Sequence, residues 1–357
     1  MLRSACALAL ASLALVAVPA AQENDSLFLR DGSTELGKVL DETVAGVSFQ
    51  PEKGAKKVVP WDGVQSVEYF DAPPDLSGGL ATLAAGNMEV AAEQLKAALA
   101  SEGLRPVIVQ QASFHLAYAQ QRQGDVEGAI AGYTRLLAEF PQGRYLRQAG
   151  ENLIALQLLK NDPAAAKASL DKLTQGAKGA GVDGMLGLLE ARLLEGQGKV
   201  AEARERYAAV ETTGGVDPVL AQEARLGKAR TLLRDNKAGE ADPLFRALVT
   251  ESQSPRVQSG AWNGLGEIQV TEGRAKKDQD RILEALYAYL RTVVQYKPLP
   301  GESTEEYERA LAGAATCFKF LSELEQNPEK KKLWRDRERE RNEQLQLEYP
   351  NSNFLKK

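Results

Sequence analysis

The sequence predicts a mainly α protein, an α-solenoid of six helix pairs behind a small all-β, barrel-like module at the N-terminus, and three observations predict it. Residues 25–70 alternate apolar and polar positions in short runs separated by turn residues, the period-two pattern of half-buried strands. From residue 73 the period becomes helical. Within the helical region, small residues and their partners return every 37 or 38 positions, the mark of stacked supersecondary units. Composition agrees. With 43% hydrophobic and 26% charged residues the chain can fold, and aromatics at only 6% suit helices packed through small side chains.

Residues 1–20 differ in character from the rest of the chain. Met1-Leu2-Arg3 carries one positive charge, Ala5 to Val18 is almost wholly apolar, and Val18-Pro19-Ala20 closes the segment. This is the arrangement of a secretory signal peptide, with cleavage expected after Ala20. The apolar run is short for a membrane span, which needs about 20 residues. A retained anchor is the alternative reading. The expectation is a periplasmic or secreted protein with no membrane span once the signal is removed. Loss of Arg3 shifts the formal charge from −5 to −6, and a mildly acidic chain offers no electrostatic footprint for nucleic acid or anionic lipid. Cys6 lies in the segment to be removed, so Cys317 is the single mature cysteine and no intrachain disulfide forms. Cys6 stands at the start of the apolar run rather than at a cleavage point after it, which disfavours lipid attachment. Cys317, among Ala314, Ala315 and Phe318, reads as a buried inert thiol.

Residues 21–72 form the predicted β module. Its strands fall at Leu27 to Leu29, Val39-Leu40, Val44 to Phe49, Val58-Val59 and Val64 to Phe70, with turns at Asp31-Gly32, Glu52-Lys53-Gly54 and Asp62-Gly63. Leu29-Arg30-Asp31-Gly32 with Gly37-Lys38-Val39 after it resembles the first hairpin of SH3-like or Sm-like barrels. Such barrels include RNA binders, a use that the acidic, exported chain argues against. The expected role is a structural cap or a peptide-docking module. Asp71-Ala72-Pro73-Pro74-Asp75 then supplies a linker and a helix start.

Residues 73–300 hold the six pairs. In the first helix of each, a small position runs through Gly79, Ala117, Ile154, Ala191, Ala229 and Gly266, with Ile154 large for its place. The second helix repeats Ala91, Ala129, Ala166, Ala203, Ala241 and Ala285, each followed four residues later by Leu95, Tyr133, Leu170, Tyr207, Phe245 or Tyr289. Turns are expected at Gly86-Asn87, Gly124-Asp125, Asn161-Asp162, Gly198-Lys199, Asn236-Lys237 and Gly273-Arg274, with an insertion at Lys276 to Ile282 in the sixth. Residues 301–357 are expected to form a capping helix pair, whose Lys330 to Arg341 run reads as a solvated face.

The unit Phe114 to Ala119, Gln123-Gly124-Asp125, Ala129-Ile130, Tyr133 and Phe140-Pro141 resembles the tetratricopeptide repeat, as does Trp262, Leu265, Gly266 in the sixth pair. Phe140-Pro141-Gln142-Gly143-Arg144-Tyr145 and Tyr349-Pro350-Asn351-Ser352-Asn353-Phe354 resemble the joints of tetratricopeptide proteins of the bacterial envelope. The resemblance implies a right-handed α-solenoid whose first helices line a concave groove. It places Phe114, Tyr118, Arg122, Leu188, Arg192, Leu226, Arg230, Arg234, Asn263 and Glu267 in that groove as candidate partner-binding residues. An aromatic end and a basic middle would suit an acidic peptide or protein segment with an apolar anchor. The alternative is that these arginines pair with acids of the chain itself, such as Glu195 and Glu223.

No catalytic, cofactor or metal site is expected. His115 is the sole histidine, which excludes a two-histidine metal site and leaves little material for a triad. Gly179-Ala180-Gly181-Val182-Asp183-Gly184 matches a dinucleotide motif by letter, but it comes after a helix rather than a strand and reads as an inter-repeat loop. The expected function is a non-catalytic adaptor of the cell envelope. The alternatives are a subunit acting on cell-wall glycan, which requires paired carboxylates on the concave face, and an oligomeric structural protein, which requires a large apolar convex face. The oligomeric state is not specified by the sequence.

Overall fold

The computed structural model describes residues 24–299 and 301–356, so the predicted signal segment lies outside the described residues. Strands β1 (Asp25–Leu29), β2 (Thr34–Thr43), β3 (Gly46–Pro51), β4 (Lys57–Val59) and β5 (Val64–Glu68) pair antiparallel in the order β4-β3-β2-β1-β5. The sheet is open, because β4 and β5 are its two edges rather than partners that close a barrel. The expected gap between the second and third strands is a two-residue turn at Val44-Ala45, which leaves β2 ten residues long. A register shift between Val39 and Asp41 moves the alternation by one place, so that Glu42 rather than Asp41 turns inward and is fully buried.

The inner face of the sheet does not form a core of its own. Leu27, Val39, Val47 and Phe49 pack in one apolar cluster with Leu76, Leu95 and Ile108 of the first helices. Polar ties fix the same junction. Arg105 reaches buried Asp25 at 2.7 Å, the Val39 carbonyl at 3.1 Å and Asp71 at 2.8 Å. Gln110 Nε2 donates to the Glu42 carbonyl at 3.1 Å, and within the β module Trp61 Nε1 donates to the Thr43 carbonyl at 2.7 Å. Asp71, expected in a linker, thereby joins the clamp from its exposed side, while Asp25 is its buried member.

Fourteen α-helices succeed the sheet among the described residues: α1 (Pro74–Ala84), α2 (Met88–Leu99), α3 (Pro106–Gln123), α4 (Val126–Glu139), α5 (Leu146–Leu159), α6 (Pro163–Gly176), α7 (Asp183–Gly196), α8 (Val200–Thr212), α9 (Pro218–Arg234), α10 (Ala238–Glu251), α11 (Pro255–Lys276), α12 (Gln279–Gln295), α13 (Glu305–Leu324) and α14 (Pro328–Glu348). A short 3-10 turn, Asn353–Lys356, ends the chain. Odd and even helices pair as the repeat register predicts. The recurring alanines Ala91, Ala129, Ala166, Ala203, Ala241 and Ala285 are all fully buried, and so are Ala117, Ala191 and Ala229 in the partner helices. At Gly266 a Cβ would stand 2.9 Å from the Tyr289 ring, so the small side chain there is a packing requirement.

Each intra-pair turn is made by one residue in the left-handed region: Gly86, Gly124, Asn161, Gly198, Asn236 and Lys277. In four of the six the next residue caps the second helix, Asn87, Asp125, Asp162 and Asp278 each accepting from a backbone N–H three places on. The sixth turn corrects the sequence reading. Gly273 and Arg274 lie inside α11, and no inserted loop exists at 276–282. From the small position to the turn residue is seven places in Ala117 to Gly124 but eleven in Gly266 to Lys277; from turn to buried alanine is five places in Gly124 to Ala129 but eight in Lys277 to Ala285. The additional residues are thus four in α11 and three in α12, about one turn of helix each, so the hairpin lengthens without losing register.

Candidate functional site

The candidate groove residues occupy the first helix of their pairs, and the structure divides them by exposure. Phe114, Tyr118, Leu188, Leu226 and Asn263 are buried by the chain itself, whereas Arg122, Arg192, Arg230 and Arg234 keep part of their surface and Glu267 is exposed. Phe114 stacks on Tyr145 with ring centroids 4.2 Å apart, which seats the Phe140 to Tyr145 joint on α3. Leu188 and Leu226 belong to the apolar contacts between α7, α8, α9 and the helices beyond them. These residues support the groove wall and do not offer a free surface.

The arginines meet carboxylates from other repeats. Glu151 on α5 and Glu223 on α9, both nearly buried, hold three guanidiniums: Arg147 (2.5 Å to Glu223), Arg192 (3.2 Å to Glu151) and Arg256 (2.9 Å to Glu151). The network therefore links α5, α7, α9 and α11 across the concave side. Burial opposes the charged form of Glu151, but Arg192, Arg256 and Arg147 outweigh it and hold the carboxyl well below the usual range; the Glu223 carboxyl is lowered by the same balance. Arg234 lies 3.4 Å from Glu195 and remains half exposed. Arg230 pairs with Glu306 of α13, and Asn263 donates to the same carboxylate at 3.0 Å. Pairing with Glu195 and Glu223, the alternative that the sequence left open, is present. Glu151 and Glu306 are partners that sequence reasoning missed, because no local pattern connects side chains brought together from separate repeats.

Beside this network lies a half-open cavity of about 420 Å³, lined by Arg192, Arg230, Arg234, Glu195, Glu305 and Glu308 among others. Glu305 is exposed on the cavity wall; desolvation works against its charge, but Arg309, Arg230 and Arg192 hold its carboxyl below the usual range. Glu308, one turn further on, is raised, mainly by burial. The lumen is thus amphoteric, with neither sign in clear excess.

Its remaining wall comes from the C-terminal region. Arg122 Nη2 donates to the Glu348 carbonyl at 2.7 Å, and its guanidinium lies over the Tyr349 ring at 4.4 Å. Asn351 Nδ2 donates to the Gln121 carbonyl at 3.2 Å. Gly301 packs so closely on α3 that a Cβ there would stand 2.8 Å from Phe114. The second and last helix pairs therefore meet.

Other sequence candidates fall away from the lumen or are inert. Cys317 is fully buried, and burial pushes its thiol up to about 12. The Lys330 to Arg341 face is solvated, with local pairs Arg337–Glu340 and Arg339–Asp336. Gly179 and Gly181 make the turn between α6 and α7, while Asp183-Gly184 opens α7. Among the described residues no group of three or more His, Cys, Asp or Glu side chains could hold a metal ion, and no helix is long and apolar enough to cross a membrane.

The family profile of the tetratricopeptide repeat matches residues 76–144 and 188–255, which are α1 to α4 with the adjoining joint and α7 to α10. The chain carries tetratricopeptide repeats. The matched stretches contain four of the six pairs traced by register, and the buried alanine of the second helix recurs in the other two pairs as Ala166 and Ala285. A tetratricopeptide repeat protein from Parabacteroides merdae of known crystal structure is similar over 74% of this chain and 97% of its own, at 17% identity and a TM-score of 0.42. The tetratricopeptide domain of P58(IPK) is similar over 76% of this chain and 79% of its own, at 13% identity and a TM-score of 0.23. No curated protein sequence matches the chain.

Proposed function

We propose that the protein is an exported, non-catalytic scaffold of the cell envelope that holds a peptide or protein segment in the lumen of its tetratricopeptide array. Tetratricopeptide arrays bind protein partners as a class, and the observation that carries the reading here is the cavity whose wall includes Arg192 of α7 and Arg230 and Arg234 of α9, the first two held by Glu151 and Glu306 and the third half exposed. Guanidiniums aligned in this way suit carboxylates of an extended segment, read by charge-assisted hydrogen bonds. Arg192 is committed to Glu151 and Glu223, so the residue best placed to meet an incoming carboxylate is the half-exposed Arg234. Export rests on residues 1–20, and the mature chain begins at Ala21 in this reading.

Two measurements test it. Labelled peptides carrying one aromatic residue beside two or three glutamates should bind the mature chain, and Arg234→Glu should weaken them by at least tenfold. Binding no tighter than that of lysine-substituted peptides would overturn the groove assignment. N-terminal sequencing of the protein recovered from the native host should start at Ala21; a chain retaining residues 1–20 would overturn soluble export.

A further inference from the structure

The groove face of α3 is already occupied. Tyr349 lies against Arg122 at 4.4 Å, Asn351 caps the Gln121 carbonyl, and Gly301 rests on Phe114, so the groove side of the second pair faces the chain's own C-terminal region. The contacts there differ in kind from those of the rest of the molecule. Apolar clusters join neighbouring pairs along the stack, and the cluster that anchors the C-terminal end comprises Tyr307, Leu311, Leu345 and Tyr349 with Val293, Ala312 and Phe354, all of α12 to α14 and the tail. Among the described residues, no apolar cluster includes both α3 and the segment 349–354. Residues 349–354 meet α3 through the Asn351 hydrogen bond to the Gln121 carbonyl and the cation–π contact of Tyr349 with Arg122, and beside them Arg122 donates to the Glu348 carbonyl and Gly301 lies against the Phe114 ring. Polar contacts of this type are exchanged readily for equivalent contacts to another peptide or to water, whereas a shared apolar core is not.

We infer that residues 349–354 act as an internal ligand on α3, and that an external partner reaches the lumen by replacing them with a segment of the same chemistry, an aromatic ring followed by proline and a short amide or hydroxyl side chain. The inference rests on the groove reading given above. Its chemical logic is that of the seam itself. The Arg122 guanidinium, held by the Tyr118 hydroxyl at 3.0 Å, presents a flat cationic face to an aromatic ring. The Gln121 carbonyl, at the C-terminal end of α3, accepts from the Gly124 N–H and, with its other lone pair, from an amide. A tethered ligand is present at high effective concentration, so the untethered partner binds only to the fraction of molecules whose tail has left.

The test uses the mature full-length chain and a fluorescein-labelled peptide of residues 347–356 as the probe. Asn351→Ala removes the bond to the Gln121 carbonyl and Phe354→Ala removes the ring that Arg309 and the Tyr307–Leu345 cluster hold against α13 and α14, so the pair loosens the tail and leaves the α3 face intact. Hydrogen exchange at Tyr349, Ser352 and Leu355 should accelerate at least tenfold in this variant, with α5 to α10 unaffected, and the probe should bind at least tenfold more tightly than to the wild type. Adding Arg122→Ala should remove that gain. Unchanged exchange at those amides would show that the tail was not held by the seam and would overturn the inference. So would faster exchange with no gain in probe binding. Should the double variant lose helicity, Asn351→Ala alone gives the same two readouts with a smaller expected change, at least threefold. Failure of the acidic-peptide assay with normal exchange results would count against the groove reading, since exchange is measured with no partner present.

Discussion

His115 packs with Nδ1 2.8 Å from the Gln111 carbonyl and its ring edge-on to Phe114 and Tyr145, a pocket that accepts a neutral imidazole and disfavours the cation. Burial lowers its pKa to about 4, with Arg144 adding to the effect. The unfolded chain takes up this proton near 6.5, before the folded chain does, so His115 is neutral to stability above pH 6.5 and costs stability as pH falls from 6.5 towards 4. Glu42 and Glu308, whose carboxyls burial raises, act in the opposite direction in the lower part of that window. The imidazole is isolated by difference: relative to His115→Asn, the wild type should lose up to about 3 kcal/mol between pH 7 and pH 4 in urea unfolding. A difference that stays flat across that range would show that the ring is solvated. The residue also illustrates what one sequence conceals. Its helix and register position were legible, but Tyr145 and Gly301, which enclose it, come from a joint and from a segment far along the chain.

At the scale of the element, the repeat made the helices legible and the sixth pair shows the limit of counting. Glycine or asparagine marks five of the intra-pair turns, and both residue types enter the left-handed region easily. Gly273 imitates that signal at the expected spacing, yet it serves as a close-packing position where a Cβ would stand 2.8 Å from Ile282. The true turn residue, Lys277, carries a conformational penalty of about 1–2 kcal/mol that glycine avoids. Lys277→Gly should therefore stabilise the protein by about 0.5–1 kcal/mol after the added chain entropy of glycine is allowed for, seen as a higher urea midpoint at unchanged slope. The capping aspartate Asp278, with amphipathic helix after it, was the available signal for this turn, and a fixed repeat length hid it. The β module was legible as strands but not as an open sheet, since the apolar cover that makes closure unnecessary comes from α1 to α3.

For the whole molecule, the contacts that cross the lumen set its cooperativity. A solenoid whose repeats touch only their neighbours unfolds approximately as a row of coupled units, and long arrays lose two-state behaviour. Here Arg256 reaches Glu151 across 105 positions, Arg147 reaches Glu223 across 76, and Arg122 reaches Glu348 across 226, so pairs that are not adjacent in the stack are tied together. The charge balance of the central network makes these ties conditional. Glu151 and Glu223 offset much of the charge of Arg147, Arg192 and Arg256; with Glu223 neutral, three partly buried guanidiniums would share one carboxylate. Breaking a buried ion pair by removing one partner costs about 3–5 kcal/mol, because the unpaired charge remains desolvated. Glu223→Gln should do more than shift the midpoint. Loss of the link between α5 and α9 should separate the stack into units of unequal stability, so that urea unfolding changes from one transition to two, with circular dichroism and tryptophan fluorescence, which reports Trp61, Trp262 and Trp334, no longer coincident. A variant that unfolds in a single transition at lower urea, with both probes still superimposed, would show that the apolar interfaces between adjacent repeats are sufficient for cooperativity and that the lumen network contributes stability alone.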